Sequence, residues 1–219
     1  MSMRFLKSLA QVGVLAVFGA ASVACSAATE SSADYQLGTQ YKQVREVQKP
    51  TDPKRITVEE FFWYGCPHCF HLDPEIAAWL PKKGGDVDFT RIPNTLGRPE
   101  GEIHARAFYV AQTLGIGEKI HKPLFDAIHV QHYPMNTLDS IRALFVEVAG
   151  IKPADFDGVA TSFVVDSGLR RAELAARAYG ITAVPAIVVG GKYLVNAQPQ
   201  DTMKVVDFVI EKIRKERKG

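Results

Sequence analysis

Residues 60–69 read EFFWYGCPHC and join the end of one predicted strand to the start of one predicted helix. The strand covers residues 56–63, which are rich in β-branched and aromatic side chains. The helix covers residues 66–80, and Pro67 stands near its start, where a missing N–H costs nothing. A second short strand is predicted over residues 87–92. Together these elements form a strand–helix–strand unit of a parallel sheet.

The rest of the chain adds a block of helices and a second pair of strands. From about residue 100 to 179, apolar residues recur at spacings of three and four, which indicates several amphipathic helices. Residues 186–189 and 192–195 flank a Gly-Gly pair, the signal of an antiparallel hairpin. A helix over residues 200–215 closes the chain. Without the helical block, this order predicts a four-stranded mixed sheet with helices on both faces.

Composition excludes several classes of protein. The 219 residues are 47% hydrophobic and 23% charged, which is too apolar and too evenly charged for a disordered chain. The formal net charge of +2 gives no basic excess for binding nucleic acid. Three cysteines are too few for a small domain held together by disulfides.

Residues 1–27 have the layout of a secretory signal peptide. Arg4 and Lys7 precede an apolar stretch, residues 8–24, which only Gln11 interrupts, and small residues follow it. A transmembrane anchor is the alternative, but the stretch is short and rich in glycine and alanine. We therefore expect export to the periplasm, where disulfides can form.

Cys25 has two interpretations. Residues 22–25 read SVAC and faintly resemble the bacterial lipobox, whose cysteine is lipidated, although Ser22 replaces the usual leucine. Alternatively, Cys25 is removed with the signal peptide. The protein is exported in both cases, and we expect removal.

Cys66 and Cys69, separated by two residues in an exported protein, can close a small disulfide. A structural zinc site needs four ligands and usually two such pairs, and no metal site is expected. His68 and His71 cannot complete one, because one helix cannot point residues 66, 68, 69 and 71 at a single centre. An inert structural disulfide is the other alternative. We favour a redox-active pair that needs no cofactor.

The position of Cys66 indicates the direction of the redox reaction. At a helix N-terminus, unpaired N–H groups and the helix dipole stabilise a thiolate and lower its pKa. His68 adds a donor or a positive charge beside the same sulfur. The dithiol is then favoured over the disulfide, so the disulfide is an oxidant. The sequence therefore predicts oxidation of the thiols of other proteins.

Glu60 is the ambiguous residue of the predicted strand. The twofold period of a strand places it on one face with Ile56, Val58 and Phe62, where a carboxylate is costly without a partner or a use. Glu59 lies on the opposite face and is the second candidate. The four histidines of the helical block are instead predicted to be surface residues: His104, His121, His129 and His132.

The run EFF-x-x-x-CPHC and the downstream segment GITAVP (180–185) resemble the DsbA family of bacterial periplasmic thiol–disulfide oxidoreductases. The resemblance covers essentially the whole mature chain. It implies an α/β thioredoxin fold with an inserted all-helical subdomain. The implied division is a signal peptide (1–27), a thioredoxin domain in two parts (28–98 and 179–219) and a helical insertion (99–178).

The same resemblance implies roles for individual residues. Cys66 would be the exposed nucleophile that forms a mixed disulfide, and Cys69 its buried partner. Pro67 and His68 would tune the reduction potential. Glu60 would be a buried acid that assists proton transfer with Cys69. Val184-Pro185 would be a cis peptide that pairs with an extended substrate segment.

We therefore predict a monomeric thiol–disulfide oxidase that acts on unfolded exported proteins with free thiols. A quinone-linked inner-membrane protein of the DsbB type would reoxidise it, by resemblance. The alternatives are a disulfide isomerase or reductase, and a chaperone that binds clients of the same compartment. One departure from the family is Gly65, where many members have an aromatic residue. We expect it to leave Cys66 more exposed or its loop more adaptable.

Overall fold

We describe the protein from a computed structural model, in which residues 35–218 are defined. The predicted signal peptide and Cys25 lie outside these residues. The strands are β1 (Tyr41–Gln43), β2 (Ile56–Phe62), β3 (Val87–Pro93), β4 (Ala186–Val189) and β5 (Tyr193–Val195). The helices are α1 (Pro67–Trp79), α2 (Pro99–Thr113), α3 (Gly117–His129), α4 (Leu138–Ala149), α5 (Pro153–Ala160), α6 (Phe163–Tyr179) and α7 (Thr202–Glu216).

The strands form one mixed sheet in the order β1–β5–β4–β2–β3. β2 and β3 are parallel, and the other neighbouring pairs are antiparallel, including the predicted hairpin of β4 and β5. The prediction of four strands is wrong, because β1 adds a fifth at the edge. This strand has three residues and only one buried side chain, Tyr41, so it leaves no periodic pattern in the sequence.

Helices cover both faces of the sheet, as predicted. On one face, α1 and α7 bury the side chains of Ile56 and Val58. On the other face, the end of α6 packs Tyr179 against Phe61 with the rings at 84°. Both faces of β2 are therefore covered, and this strand carries the residues that lead into the site.

Helices α2 to α6 follow one another between β3 and β4, and together they form a core of their own. Phe125, Phe145 and Phe156 lie at its centre, fully buried. Phe62 and both cysteines, Cys66 and Cys69, join the same core, so the helical block packs directly on the strand–helix junction. None of the helices between residues 35 and 218 is long and apolar enough to cross a membrane.

Candidate active site

The strand–helix junction places the two cysteines at the start of α1, as the sequence predicts. Cys66 is the N-cap, with extended backbone angles, and Pro67 is the first helical residue. Proline suits that position because its fixed φ is already helical and its missing N–H has no intrahelical partner. The Cys66 N–H donates to the Trp63 carbonyl at 2.9 Å, so the chain turns from strand to helix within three residues.

Both thiols are buried. Cys69 is 0% exposed and Cys66 is 7% exposed, so the expectation of an exposed Cys66 is wrong. The reason is the loop before β4, which lies against the sulfur: Cys66 Sγ is 3.5 Å from the carbonyl oxygen of Val184. Of the two cysteines, Cys66 is still the one that a partner can reach.

The two free thiols change each other's acidity. A hydrogen bond from the Cys69 thiol, together with the backbone N–H groups of Cys69 and His68, lowers the pKa of Cys66 to about 6. The same hydrogen bond and burial raise the pKa of Cys69 far above its usual value. At neutral pH the pair therefore holds one thiolate, on Cys66, and one thiol. The sulfur that carries the charge is the one at the helix N-terminus.

Pro67 and His68, the two residues between the cysteines, are both exposed. The charge of His68 makes a further, smaller contribution to the lowered pKa of Cys66. Across from them, the Val184-Pro185 peptide bond is cis, as predicted from its place before a strand. The structure thus brings the loop that contains Val184 and Pro185 to Cys66, through the contact with the Val184 carbonyl.

Glu60 lies beneath the cysteines and is 2% exposed. Its Oε2 is 3.2 Å from the Nε of Arg91, which follows from the β2–β3 register, where these two residues are directly opposite. Neither atom has an aligned hydrogen-bond partner among the described residues, so the contact is an ion pair only. Burial raises the pKa of Glu60 to about 7, and the charge of Arg91 opposes the rise. The charge of Glu60 also contributes to the raised pKa of Cys69.

A chain of polar side chains continues from Arg91 into the helical block. Arg91 Nη2 donates to Asp73 Oδ1 at 2.8 Å, and His121 Nε2 is 3.0 Å from the same oxygen. The other ring nitrogen of His121 is 3.0 Å from the hydroxyl of Tyr64. The pKa of Asp73 is lowered: burial opposes this, but the hydrogen bond from His121 and the nearby Arg91 outweigh it.

Four residues of this polar network were not predicted from the sequence: Arg91, Asp73, His121 and Tyr64. The sequence nevertheless carries a signal for two of them. Asp73 follows Cys69 by four residues, which places both on one face of α1. Arg91 is predictable as the neighbour of Glu60 once the parallel pairing of β2 and β3 is assumed. Tyr64 and His121 left none, because their contact joins residues 57 positions apart.

The prediction of surface histidines is wrong for three of the four. His104 and His121 are buried, and His129 is partly buried; only His132 is exposed. His104 Nε2 contacts the Met135 carbonyl at 2.7 Å, and His129 Nε2 contacts the Tyr64 carbonyl at 2.7 Å. They are buried because the helical block packs on the strand–helix junction.

Gly65 does not leave Cys66 exposed. The indole of Trp63 lies over this glycine, fills the space that a side chain at residue 65 would occupy, and packs in the same core as Cys66. Trp63 itself stacks on the His104 ring at a centroid distance of 6.1 Å. An aromatic ring therefore covers this position, although it comes from residue 63.

A groove of about 420 Å³ lies between α1, the cis peptide and the start of α7, and His68 of the CPHC motif forms part of its wall. Its floor is largely apolar and its polar edge comes from α1. The residues that line it include His68, His71, Leu72, Glu75, Pro185 and Ile187.

Comparisons with known proteins agree with this geometry. Residues 100–205 match the model of the DSBA-like thioredoxin domain. The thiol:disulfide interchange protein DsbA of Pseudomonas aeruginosa is 32% identical over 216 residues, which are 97% of this chain and 98% of that protein. The DsbA of Azotobacter vinelandii is 37% identical over 84% of this chain and 87% of its own length.

Solved structures show the same fold. The crystal structure of Pseudomonas aeruginosa DsbA has a TM-score of 0.78 and 32% sequence identity, over 85% of this chain and 98% of its own. DsbA from Xylella fastidiosa has a TM-score of 0.77 and 28% identity, over 83% of this chain and 98% of its own. With its thioredoxin fold, its helical block and its Cys66-Pro67-His68-Cys69 motif, the chain belongs to the DsbA family of thiol:disulfide interchange proteins.

Proposed function

We propose that the protein is a disulfide oxidase, which donates a Cys66–Cys69 disulfide to newly exported proteins. The observation that carries this proposal is the lowered pKa of Cys66 at the N-terminus of α1. A stabilised thiolate favours the reduced enzyme, so the disulfide gives up its oxidising equivalents readily. A disulfide that is easily reduced suits a donor better than a reductase.

The first step is attack by a client thiolate on Cys66 Sγ. A sulfur–sulfur bond forms between client and Cys66, the Cys66–Cys69 bond breaks, and its electron pair leaves on Cys69. The high pKa of Cys69 means that this sulfur takes up a proton at once. Protonated Glu60, buried beneath the pair, is the proposed proton donor, and its pKa of about 7 lets it hold and release a proton near neutral pH.

In the second step another thiolate of the client attacks the client sulfur of the mixed disulfide. The client disulfide forms, and Cys66 leaves as a thiolate, which its low pKa makes a good leaving group. The client has lost two electrons, and the enzyme now holds a Cys66 thiolate and a Cys69 thiol, with Glu60 deprotonated until it takes up a proton from solvent. Reoxidation by a DsbB-type inner-membrane protein would complete the cycle.

Clients would bind as extended segments. We assign this role to Val184 and Pro185, whose loop lies against Cys66, with backbone hydrogen bonding that places no demand on client sequence. The adjoining groove of about 420 Å³ would take an apolar client side chain. Pro67 and His68 are exposed beside it and would face the client while they tune the potential.

We also propose that the protein works in the periplasm as a monomer. The layout of residues 1–27 supports export with removal of the signal peptide and of Cys25. The thioredoxin domain would then comprise residues 28–98 and 179–219, with residues 99–178 as the insertion. Intact-mass analysis of the protein from periplasmic extract tests this, since a lipidated Cys25 would add the mass of its acyl chains.

The deciding experiment is the equilibrium of the purified protein with glutathione, read by thiol alkylation. We expect Cys66 and Cys69 to be reduced even in a mildly oxidising glutathione buffer. A disulfide that persists under strongly reducing conditions would point to a structural bridge or a reductase instead. A second assay follows disulfide formation in a reduced, unfolded test protein, where Cys66→Ser and Cys69→Ser should each abolish activity, because neither variant can form the disulfide that is donated. A chaperone would keep its binding in both variants.

A further inference from the structure

Both ring nitrogens of His121, a residue of the helical block, have a polar partner beside the site. Nε2 is 3.0 Å from Asp73 Oδ1, and Nδ1 is 3.0 Å from the Tyr64 hydroxyl. The ring is buried among the aromatic rings of Phe62 and Phe125. A buried histidine with two specific partners is a fixed element of the site, and its hydrogen-bonding state can be worked out.

The partners determine where the proton of His121 lies. An ionised Asp73 can only accept, so Nε2 must carry the hydrogen. Burial raises the pKa of Tyr64 far above neutral, so its hydroxyl keeps its hydrogen and can donate it to Nδ1. Burial also lowers the pKa of His121, in keeping with a neutral ring. His121 is therefore the neutral Nε2–H tautomer.

Asp73 and Glu60 compete for one guanidinium. Arg91 makes an aligned hydrogen bond of 2.8 Å to Asp73, but only an unaligned contact of 3.2 Å to Glu60. The orientation of Asp73 thus determines how strongly the Arg91 guanidinium stabilises the negative charge of the Glu60 carboxylate. His121 Nε2 contacts the same Asp73 oxygen, Oδ1, and so helps to hold the carboxylate in this orientation.

We propose that His121, which Tyr64 fixes as the Nε2–H tautomer, is a positioning residue that keeps Asp73 directed at Arg91. Arg91 then compensates the negative charge of Glu60 only in part, so that Glu60 can hold a proton for Cys69. The proposal rests on the proposed function for the use of that proton. The placement of the proton itself is independent of it.

Titratable and charged groups from every neighbouring element face this network of polar side chains. Cys69 and Asp73 come from α1, and Arg91 comes from β3. Tyr64 comes from the turn after β2, and Glu118 acts on His121 from its own helix. Arg171 of α6 lines the same cavity of about 720 Å³ as Arg91 and His121.

The test is a carbon-13 NMR titration of the Glu60 carboxyl in the oxidised protein, assigned with Glu60→Gln. Cys69 has no thiol in that form, so the titration reports the carboxyl even if the protein proves not to be an oxidase. In His121→Leu we expect the Glu60 midpoint to fall by about one pH unit, which lowers its protonated fraction at pH 7 about fivefold. His121→Gln, which keeps an N–H donor for Asp73, should stay near wild type.

His132→Asn is the matched control, because His132 is an exposed histidine of the same block, with a positive φ that asparagine tolerates. It should leave the midpoint unchanged. An unchanged midpoint in a folded His121→Leu protein would overturn the proposal.

A second measurement does not depend on whether His121→Leu folds. Nitrogen-15 NMR of the wild-type imidazole should show the Nε2–H tautomer from pH 6 to 8, and Tyr64→Phe should let the ring take up a second proton within that range. A wild-type Nδ1–H tautomer or an imidazolium at pH 7 would overturn the proposal.

Discussion

The indole of Trp63 lies so close over Gly65 that a β-carbon at residue 65 would be 2.3 Å from the ring carbon Cζ2. Real β-carbons do not approach a neighbour this closely, so no side chain fits at residue 65 while the indole stays in place. Trp63 is partly buried and stacks on buried His104, which limits how far the ring can move. The glycine and the tryptophan therefore form one packing unit beside Cys66.

Gly65→Ala should destabilise the protein by about 1–3 kcal/mol, the usual cost of overpacking. In a Trp63→Ala background the same change should cost much less, because the obstructing ring is gone. Urea denaturation of the four proteins gives the coupling free energy as a double-mutant cycle. Equal costs of Gly65→Ala in both backgrounds would mean that the two residues do not share the space.

The sequence predicted the secondary-structure elements around the site because those elements are regular. The strand before Cys66, the helix after it and the Gly-Gly hairpin each carry a complete local signal, and the structure contains all three. β1 was missed because three residues are too few for a period. Cys66 was expected to be exposed because the loop that covers it arrives from 118 residues away.

The burial of His104 and His121 could not be predicted from the sequence. A histidine on a helix face has the same local pattern whether that face meets solvent or a sheet. His121 is buried because α3 docks on the strand–helix junction, and that docking is a long-range property. Glu60 was found because a strand period needs only a few residues to place a carboxylate on a buried face.

Cys69→Ala should raise the pKa of Cys66 above its wild-type value of about 6, because the hydrogen bond from the Cys69 thiol makes the largest contribution to the lowering. Cys69→Ser keeps a hydroxyl donor and should give a smaller rise. The rate of alkylation by iodoacetamide as a function of pH measures both. An unchanged pKa in Cys69→Ala would assign the lowering to the backbone N–H groups of the helix.

The reduced protein should lose stability relative to the oxidised protein as the pH falls from 8 to 5. The folded pKa of Cys66, about 6, lies below its ordinary value of 9.0, so its stabilising contribution is complete above 9 and is lost as the pH falls through 6. Between pH 8 and 5 the loss amounts to about 2–3 kcal/mol. The raised pKa of Cys69 changes the stability of the reduced protein only at pH values above this range.

Chemical denaturation of both redox forms at several pH values gives this difference. Groups such as Glu59 titrate in both forms, so their contributions largely cancel in the comparison. Reduced Cys66→Ser is the control and should show no such loss. A difference between the redox forms that is independent of pH would mean that the Cys66 thiolate does not stabilise the folded reduced protein.

Tyr179→Phe should destabilise the protein more at pH 8 than at pH 4. The Tyr179 hydroxyl donates to Glu59 Oε2 at 2.7 Å, and burial raises the pKa of Glu59 while this hydrogen bond opposes the rise. A carboxyl with a raised folded pKa contributes stability at low pH that is lost as the pH rises through that pKa. Without the Tyr179 hydroxyl, the buried Glu59 carboxylate loses its donor, which should lower the free energy of unfolding by about 1–3 kcal/mol at pH 8.

Phenylalanine keeps the ring that packs at 84° on Phe61, so the comparison isolates the hydroxyl. Urea denaturation at pH 4 and pH 8 measures the two costs. In a Glu59→Gln background the cost of Tyr179→Phe should become the same at both pH values, because the residue that titrates has been removed. A pH-dependent cost that survives Glu59→Gln would assign the effect to another group near the end of α6.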